Sequence, residues 1–237
     1  LLTQAMRWEV ADEIAAANLA VTNRLQKPVR PKRSFYARFG KRAVDVVGSA
    51  VALLVAAPIT LALTPLVLLD VGRPLLFTQR RIGLGGREFQ ISKLRTMRDG
   101  TDADGSPLLG AQRVTKLGRL IRRASLDELL NFWSILKGDM SLIGPRPLVP
   151  EYKARYSARH GARHAVRPGL DCPTPAPLGR ATTYEDQFEN DCWYVENVSF
   201  ANDARLAIRV VQTALDPGKN ESRGASSRGS FMGYDEQ

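Results

Sequence analysis

Residues 125–147 of this 237-residue chain read SLDELLNFWSILKGDMSLIGPRP. Ser125, followed three residues later by Glu128, has the spacing of a capping box, in which two side chains satisfy the first free N–H groups of a helix. Apolar residues then recur at helical spacing until Gly138, a residue type that commonly ends helices. The segment therefore predicts a helix from residue 126 to residue 137, followed by a rigid turn. The apolar positions are Leu126, Leu129, Leu130, Trp133 and Leu136.

Two acids, Asp127 and Glu128, fall in the first turn of this predicted helix. Adjacent side chains on a helix point roughly 100° apart, so the two carboxylates cannot share one task. Both lie at the electropositive helix end, with Arg122 and Arg123 just upstream, and such an end attracts phosphate and metal ions as readily as carboxylates. A purely structural role is the alternative, because Glu128 can be the reciprocal capping residue and Asp127 a favourable first-turn acid.

Basic residues are concentrated around this segment. Between residues 73 and 123 the chain has twelve basic residues and four acidic ones. Downstream, Pro145 and Pro147 restrict the backbone on either side of Arg146, which preorganises its guanidinium for binding phosphate. The alternative reading of this Gly-Pro-Arg-Pro segment is a simple turn between helices.

Several blocks in this order resemble the bacterial sugar transferases, the monotopic phosphoglycosyl transferases. One departure from the family pattern is Leu94, where the family has an aromatic residue. Another is the proline-rich segment 170–178, where the family has an aromatic- and Gln-containing segment, so no binding residue is carried over from it. The blocks that carry the resemblance are KLRTM at 93–97, RRASLDEL at 122–129, LKGDMS at 136–141, GPRP at 144–147 and RPG at 167–169.

The resemblance implies transfer of a sugar-1-phosphate from a UDP-sugar to polyprenyl (undecaprenyl) phosphate, with release of UMP. This would be the first membrane step in assembly of a surface polysaccharide or glycoconjugate. It implies that Asp127 is the catalytic nucleophile, which forms a covalent aspartyl-phosphosugar, and that Glu128 is catalytic as the ligand of Mg²⁺. The side chains implied to bind substrate phosphates are Lys93, Arg95, Arg122 and Arg146.

Residues 46–69 carry no charge, and 24 residues would form about 36 Å of straight helix, enough to cross a hydrocarbon core of about 30 Å. Pro58 falls inside this run and removes a backbone donor, which leaves each arm too short to cross alone. Basic residues flank both ends, which favours a cytoplasmic location for both. We therefore predict a re-entrant helical hairpin kinked at Pro58. The resemblance implies a similar break at a Ser-Pro pair, where this chain has Ala57-Pro58.

The net charge of +10 indicates an anionic partner, such as nucleic acid, an acidic membrane surface or a phosphorylated substrate. The basic region lacks a nucleic-acid-binding motif and stacking aromatic residues, so no nucleic acid partner is expected. Cys172 and Cys192 suggest reduced thiols in a cytoplasmic setting. One alternative to an enzyme is a basic membrane-tethered protein that binds nucleic acid or anionic lipid without catalysis. Another is a catalytically silent member of the family that acts as a scaffold for other enzymes, and the altered segment 170–178 is its best support.

The predicted fold class is α+β, mostly helical: a monotopic membrane protein with the re-entrant hairpin and a small β-hairpin formed by residues 75–79 and 89–94. Residues 1–35 are expected to form an appended helix and linker, 36–72 an interfacial segment and the membrane hairpin, 73–215 the cytoplasmic catalytic domain, and 216–237 a disordered tail. The expected location is the bacterial inner membrane, with the catalytic domain on the cytoplasmic face. The expected partners are a UDP-sugar, polyprenyl phosphate and membrane lipid; the sugar, the polyprenol length and the oligomeric state do not follow from the sequence.

Overall fold

The computed structural model describes residues 4–100, 112–171, 183–215, 231, 233 and 234, so Cys172 and residues 172–178 of the altered segment lie outside the described residues. Short 3-10 and π-helical turns connect the main elements, and the predicted α+β, mostly helical fold class is confirmed. The helices are α1 (Gln4–Leu25), α2 (Lys41–Val71), α3 (Lys116–Arg123), α4 (Asn131–Lys137), α5 (Ala158–Gly161), α6 (Tyr184–Glu196) and α7 (Phe200–Leu215). The strands are β1 (Leu76–Ile82), β2 (Glu88–Leu94), β3 (Ser141–Ile143) and β4 (Gly169–Asp171).

The predicted β-hairpin is confirmed as the antiparallel pair β1 and β2. Leu76 lies opposite Leu94, and Ile82 lies opposite Glu88. The turn between the strands includes two glycines in the left-handed region, which L-residues with side chains rarely adopt. On β2 the buried Ile91 packs in one cluster with residues of α4 and the segment that follows it, so the hairpin is fixed against α4.

The second sheet is a pair of short parallel strands, β3 and β4, in which Ser141 lies opposite Gly169. Just beyond β3, Gly144 approaches Gly169 so closely that a Cβ added to Gly169 would lie 2.1 Å from the Gly144 nitrogen. Since real Cβ atoms do not approach that closely, both positions require glycine. This contact joins the GPRP segment to the RPG segment, two of the blocks singled out in the sequence.

α2 is one continuous helix of 31 residues that runs through Pro58 and Pro65. The helical hairpin kinked at Pro58 that the sequence predicts is therefore not confirmed, because the helix is not interrupted at that proline. Each proline removes one backbone donor and leaves the carbonyl four residues earlier without its helical partner, but the turns on either side keep their hydrogen bonds. In addition, the Thr60 and Thr64 hydroxyls donate to the carbonyls four residues earlier, at 2.8 and 2.9 Å. These side-chain hydrogen bonds reinforce the turns beside the prolines, which allows the helix to continue.

Both ends of α2 contact the same folded domain. Near its start, Asp45 accepts hydrogen bonds from the Ser141 hydroxyl and the Leu142 backbone, both at 2.9 Å. Near its end, Val71 belongs to a cluster with Ile121 of α3. Tyr36–Val71 is long and apolar enough to cross a membrane, and 11% of its most apolar window is buried. The exposed apolar side chains between the two ends are Val47, Val51, Leu54, Val55, Leu61, Leu66 and Leu69.

The aromatic core contains Phe231 and Tyr234, which are 3% and 1% exposed. The prediction of a disordered tail over residues 216–237 is therefore wrong at these two positions; apart from Gly233, the rest of that range lies outside the described residues. The prediction relied on the average composition of the segment, which is rich in Gly, Ser and charged residues. An average of this kind gives little weight to two isolated aromatic residues, although each of them buries a large apolar area. The rings in contact with the Phe231 ring are those of Tyr152, Tyr156, Tyr184, Phe188 and Tyr234.

α1 lies against this aromatic core. Asn18 donates to the Tyr234 carbonyl at 2.9 Å, and Leu19 packs against the aromatic cluster. The residue that follows the helix, Gln26, accepts a hydrogen bond from the Ser157 hydroxyl at 2.6 Å. Helix α1 and the segment with Phe231 and Tyr234 therefore pack together on one side of the domain.

Replacing Phe231 by Ala should lower the free energy of unfolding by about 3–5 kcal/mol, because the ring leaves a cavity among other rings. Denaturant titration of the detergent-solubilised protein measures this change. Phe200→Ala is the matched control, since its ring is 61% exposed and its loss should cost roughly 1 kcal/mol or less. Equal stability of the two variants would show that Phe231 does not contribute to the core.

Candidate active site

The acidic pair, Asp127 and Glu128, lies in a tight turn between α3 and α4. Leu126–Glu128 is a single 3-10 turn, and α4 begins only at Asn131. Ser125 has a φ of 55°, in the left-handed region, and its side chain makes no capping hydrogen bond. The capping box predicted from the spacing is therefore wrong. The acids therefore do not lie at the N-terminus of a long helix, whose dipole would stabilise their negative charge. Positively charged side chains have to stabilise it instead.

Two cations from distant parts of the chain hold Glu128. Its Oε1 accepts hydrogen bonds from Lys93 Nζ at 2.5 Å and from Arg146 Nη2 at 3.3 Å. Burial acts to raise the pKa of this carboxyl, but Arg146 and Lys93 outweigh burial, and the pKa lies below its ordinary value. Glu128 is therefore ionised at neutral pH. Within the part of the chain that the structure describes, its Oε2 accepts no hydrogen bond.

Asp127 shows the opposite shift. Burial raises the pKa of its carboxyl, the Lys93 charge opposes that rise, and the Glu128 charge adds to it, so the pKa lies above its ordinary value. A higher pKa makes the ionised oxygen more basic. Two neighbouring acids whose surroundings push their pKa values apart commonly divide chemical roles between them.

The basic block at residues 93–97 divides between two sites. Lys93, near the end of β2, points to Glu128. Arg95 instead donates to the carbonyls of Val71 and Arg73 at the end of α2, with the Arg73 bond at 3.1 Å. Of the predicted phosphate-binding residues, Arg95 is therefore the one that the structure places on the apolar helix and away from the acidic pair.

Arg122, in the last turn of α3, completes the cations near the acids. Its Nε donates to the Thr96 hydroxyl at 2.7 Å, which fixes the side chain, and its charge acts to lower the pKa of Asp127. The structure thus brings Lys93, Arg122 and Arg146 together with the acidic pair. We refer to these three side chains as the cation cluster.

Two arginines that the sequence analysis missed hold the loop that carries Arg146. Arg163 Nη2 donates to the Arg146 carbonyl at 2.7 Å, and Arg81 Nη1 donates to the Pro147 carbonyl at 3.3 Å. The Arg163 side chain is only 1% exposed and pairs with Asp191 at 2.8 Å. Neither arginine has a sequence signal that separates it from the surface arginines around it.

The residues present fit a Mg²⁺ ion that is shared with a substrate. Among the described residues, no three His, Cys, Asp or Glu side chains come together as a metal cage. Mg²⁺ is commonly bound by one or two carboxylates together with substrate phosphates and water, so a cage is not required. The Oε2 of Glu128, with Asp127 beside it, provides such a donor set.

Comparison with known proteins matches residues 36–217 to the family described as "Bacterial sugar transferase". The chain belongs to the bacterial sugar transferase family. This confirms the resemblance drawn from the motif blocks. Helix α1, together with Phe231 and Tyr234, lies outside the matched residues.

Individual relatives agree with the family assignment. The uncharacterized sugar transferase EpsL of Bacillus subtilis (strain 168) is 39% identical over 175 residues, which are 74% of this chain and 87% of that protein. The UDP-glucose:undecaprenyl-phosphate glucose-1-phosphate transferase of Caulobacter vibrioides is 39% identical over 194 residues, 74% of this chain and 69% of that protein. The UDP-N-acetylgalactosamine-undecaprenyl-phosphate N-acetylgalactosaminephosphotransferase of Aeromonas hydrophila is 34% identical over 186 residues, 75% of this chain and 44% of that protein.

In this sugar transferase, Lys93→Gln should raise the pKa of both acids, because the Lys93 charge lowers each of them. We expect the larger rise at Glu128, because it also loses its hydrogen bond to Lys93. The folded-state pKa of Glu128 is depressed, so its contribution to stability is present above the unfolded-state pKa and is lost as pH falls through the folded-state value. That contribution should shrink in the variant.

Carbon-detected NMR titration of protein labelled at the Asp and Glu carboxyls measures both pKa values. Lys137→Gln is the matched control, because Lys137 pairs with Asp139 at 2.7 Å and not with the acidic pair. Shifts of equal size in the two variants would contradict the assignment of Lys93 to this site.

Proposed function

We propose that this chain transfers a sugar-1-phosphate from a UDP-sugar to a polyprenyl (undecaprenyl) phosphate and releases UMP. The observation that carries the proposal is the acidic pair with opposed pKa shifts, set beside the cation cluster. The names of two relatives support it, since both name undecaprenyl-phosphate together with a UDP-sugar. The family assignment supports the transfer chemistry in general.

The cation cluster is suited to a diphosphate. Lys93 and Arg146 both bind the same oxygen of Glu128, although a single carboxylate carries only one negative charge. A diphosphate offers them more charge and more acceptor oxygens, and hydrogen bonds between ionised partners are the strong ones. On substrate binding these two cations turn toward the phosphates, and Glu128 becomes available to Mg²⁺. Arg122 stays fixed by Thr96 and supplies a third positive charge.

Asp127 serves as the nucleophile in the first of two displacements. A carboxylate oxygen of Asp127 attacks the β-phosphorus of the UDP-sugar, and the bond from that phosphorus to the bridging oxygen breaks, which releases UMP. The product is an aspartyl-phosphosugar. Because the pKa of the Asp127 carboxyl is raised, Asp127 is the more basic of the two acids and hence the better nucleophile. Dividing one displacement into two means that donor and acceptor need not be bound at once.

Glu128 would hold Mg²⁺, which neutralises the diphosphate charge and stabilises the leaving UMP. In the second displacement, a phosphate oxygen of the polyprenyl phosphate attacks the same phosphorus. The bond to Asp127 breaks, and the carboxylate returns to its starting state. The phosphorus, sugar and charges balance, because the new diphosphate linkage replaces the acyl-phosphate bond.

The acceptor is a lipid, so it must reach Asp127 from a membrane. The long apolar helix α2 provides the attachment, and both of its ends contact the domain that carries the acidic pair. This supports a re-entrant path in which α2 enters and leaves the cytoplasmic leaflet of the bacterial inner membrane. Pro58 lies in the middle of α2 and is the position where the helix can bend.

Asp127→Asn should fold normally yet abolish release of UMP, because the neutral amide is a far poorer nucleophile toward phosphorus. UMP is quantified after incubating membranes with UDP-sugars. Mass spectrometry of the wild-type peptide that contains Asp127, after brief exposure to UDP-sugar without acceptor, should show the mass of one added phosphosugar. An Asp127→Asn variant that released UMP at the wild-type rate would remove the nucleophile assignment.

Glu128→Gln separates catalysis from binding. It should fold and should lose activity through weaker Mg²⁺ binding, with partial recovery at high Mg²⁺. A binding or scaffold protein without catalysis would bind phosphates with no UMP release in the wild type, so the same assay tests that alternative.

The re-entrant path predicts that both ends of α2 face the cytoplasm. Arg38 and Arg73 are exposed at the two ends, and each can be changed to Cys in a background without Cys172 and Cys192. An impermeant maleimide should label both sites in inverted vesicles and neither in right-side-out vesicles. Labelling from opposite sides would establish a transmembrane span instead. Pro58→Ala should favour that straight span, because it restores an interior hydrogen bond.

A further inference from the structure

The loop at residues 144–147 depends on its carbonyl groups for its conformation. Its two prolines have no N–H to donate, so the backbone of the loop is held mainly by hydrogen bonds that its carbonyl groups accept. Four consecutive carbonyls, from residue 145 to residue 148, each accept a hydrogen bond. The donors, in order, are Gly169 N at 3.0 Å, Arg163 Nη2 at 2.7 Å, Arg81 Nη1 at 3.3 Å and Ile82 N at 2.9 Å.

The second of these carbonyls belongs to Arg146, and its donor is buried. Arg163 is 1% exposed at its side chain, and it pairs with Asp191, itself 2% exposed, at 2.8 Å. Its Nη1 donates to the Tyr156 hydroxyl at 3.0 Å. Its guanidinium carbon lies 5.2 Å from the centre of the Phe188 ring. A buried guanidinium is costly unless it is paired. Both terminal nitrogens of Arg163 have partners, whereas its Nε has none among the described residues, so Nη1 and Nη2 hold the side chain in place.

The Arg146 side chain, by contrast, is 53% exposed, and among the described residues it makes one ion pair, with Glu128 at 3.3 Å. A long, half-exposed side chain loses rotamer freedom when it binds a ligand. If its backbone were also mobile, the entropy cost of binding would rise further. The hydrogen bond to the Arg146 carbonyl therefore reduces the range of positions that the Arg146 guanidinium can occupy.

We propose that Arg163 is a positioning residue for substrate binding: held by Asp191 and Tyr156, it fixes the Arg146 backbone so that the guanidinium faces the donor diphosphate. This inference rests on the proposed function in one respect, that Arg146 binds a substrate phosphate. Among the described residues, Arg163 makes its hydrogen bonds and ion pair with Tyr156, Asp191 and the Arg146 carbonyl, and none with the acidic pair. A merely structural role would change the amount of folded protein, whereas a positioning role changes the KM for the UDP-sugar.

The test compares two buried arginines. Arg163→Lys keeps a positive charge beside Asp191 but loses the planar fork that serves several acceptors at once. Arg155→Lys is the matched control, because Arg155 is 0% exposed and its Nη1 donates to the Phe231 carbonyl at 2.9 Å, away from the loop. The two changes remove the same chemical group from equally buried positions, so both should lower stability.

Arg163→Lys should raise the KM for UDP-sugar about tenfold with a smaller change in kcat per folded molecule, and Arg155→Lys should leave KM unchanged. In an Arg146→Ala background, the further effect of Arg163→Lys on KM should be less than about twofold, since coupled residues are not additive. Hydrogen exchange at the Arg146 and Leu148 amides should become faster in Arg163→Lys and stay unchanged in Arg155→Lys.

Equal KM values for the two variants, or a full tenfold effect that persists in the Arg146→Ala background, would overturn the proposal. If the wild type released no UMP from any UDP-sugar, the proposed function would fail separately. In that case the hydrogen-exchange rates test the positioning role without an activity assay. Faster exchange of the loop amides in Arg163→Lys but not in Arg155→Lys supports the positioning role, and equal exchange rates in the two variants overturn it.

Discussion

The Asp45 carboxylate, 2% exposed inside α2, accepts hydrogen bonds from the Ser141 hydroxyl and the Leu142 backbone of β3. A carboxylate can be buried at the edge of an apolar helix only when its oxygens are bonded, so this contact determines where α2 attaches to the domain. β3 continues directly into the loop that carries Arg146. The apolar helix α2 and the loop that carries Arg146 are therefore joined through the hydrogen bonds of β3.

Arg42, one turn before Asp45, strengthens the same attachment. It donates to the carbonyls of Ile135 and Leu136, both at 2.7 Å, where the last turn of α4 leaves carbonyls without helical partners. Since α4 follows the turn with the acidic pair, α2 is tied to both sides of the site. Under the proposed membrane attachment, these contacts fix the distance between the acidic pair and the lipid surface. The phosphate of a lipid acceptor, which is confined to that surface, would then already lie at the depth of the acidic pair.

The grouping of Lys93 and Arg146 with Glu128 could be predicted from the sequence, because these residues lie in short motif blocks. The β-hairpin and the helix end at Gly138, with φ 101°, followed from local rules. The capping box was predicted wrongly because distant residues bind Glu128. The spacing of Ser125 and Glu128 gives a capping box only if the Glu128 carboxylate accepts a hydrogen bond from the Ser125 backbone. Lys93 and Arg146, 35 and 18 residues away, bind this carboxylate instead. Arg163 was missed for the same reason, since its partners are fixed by tertiary packing.

Phe231 and Tyr234 complete the aromatic core, although they come after α7 in the chain. Their partners Tyr152 and Tyr156 are synthesised earlier, and α2 earlier still. Phe231 and Tyr234 therefore leave the ribosome after every other described residue of this core, and the core stays incomplete until they are synthesised. Under the proposed membrane attachment, α2 can enter the bilayer before the aromatic core is complete. Packing of these two side chains is then the step that completes the core.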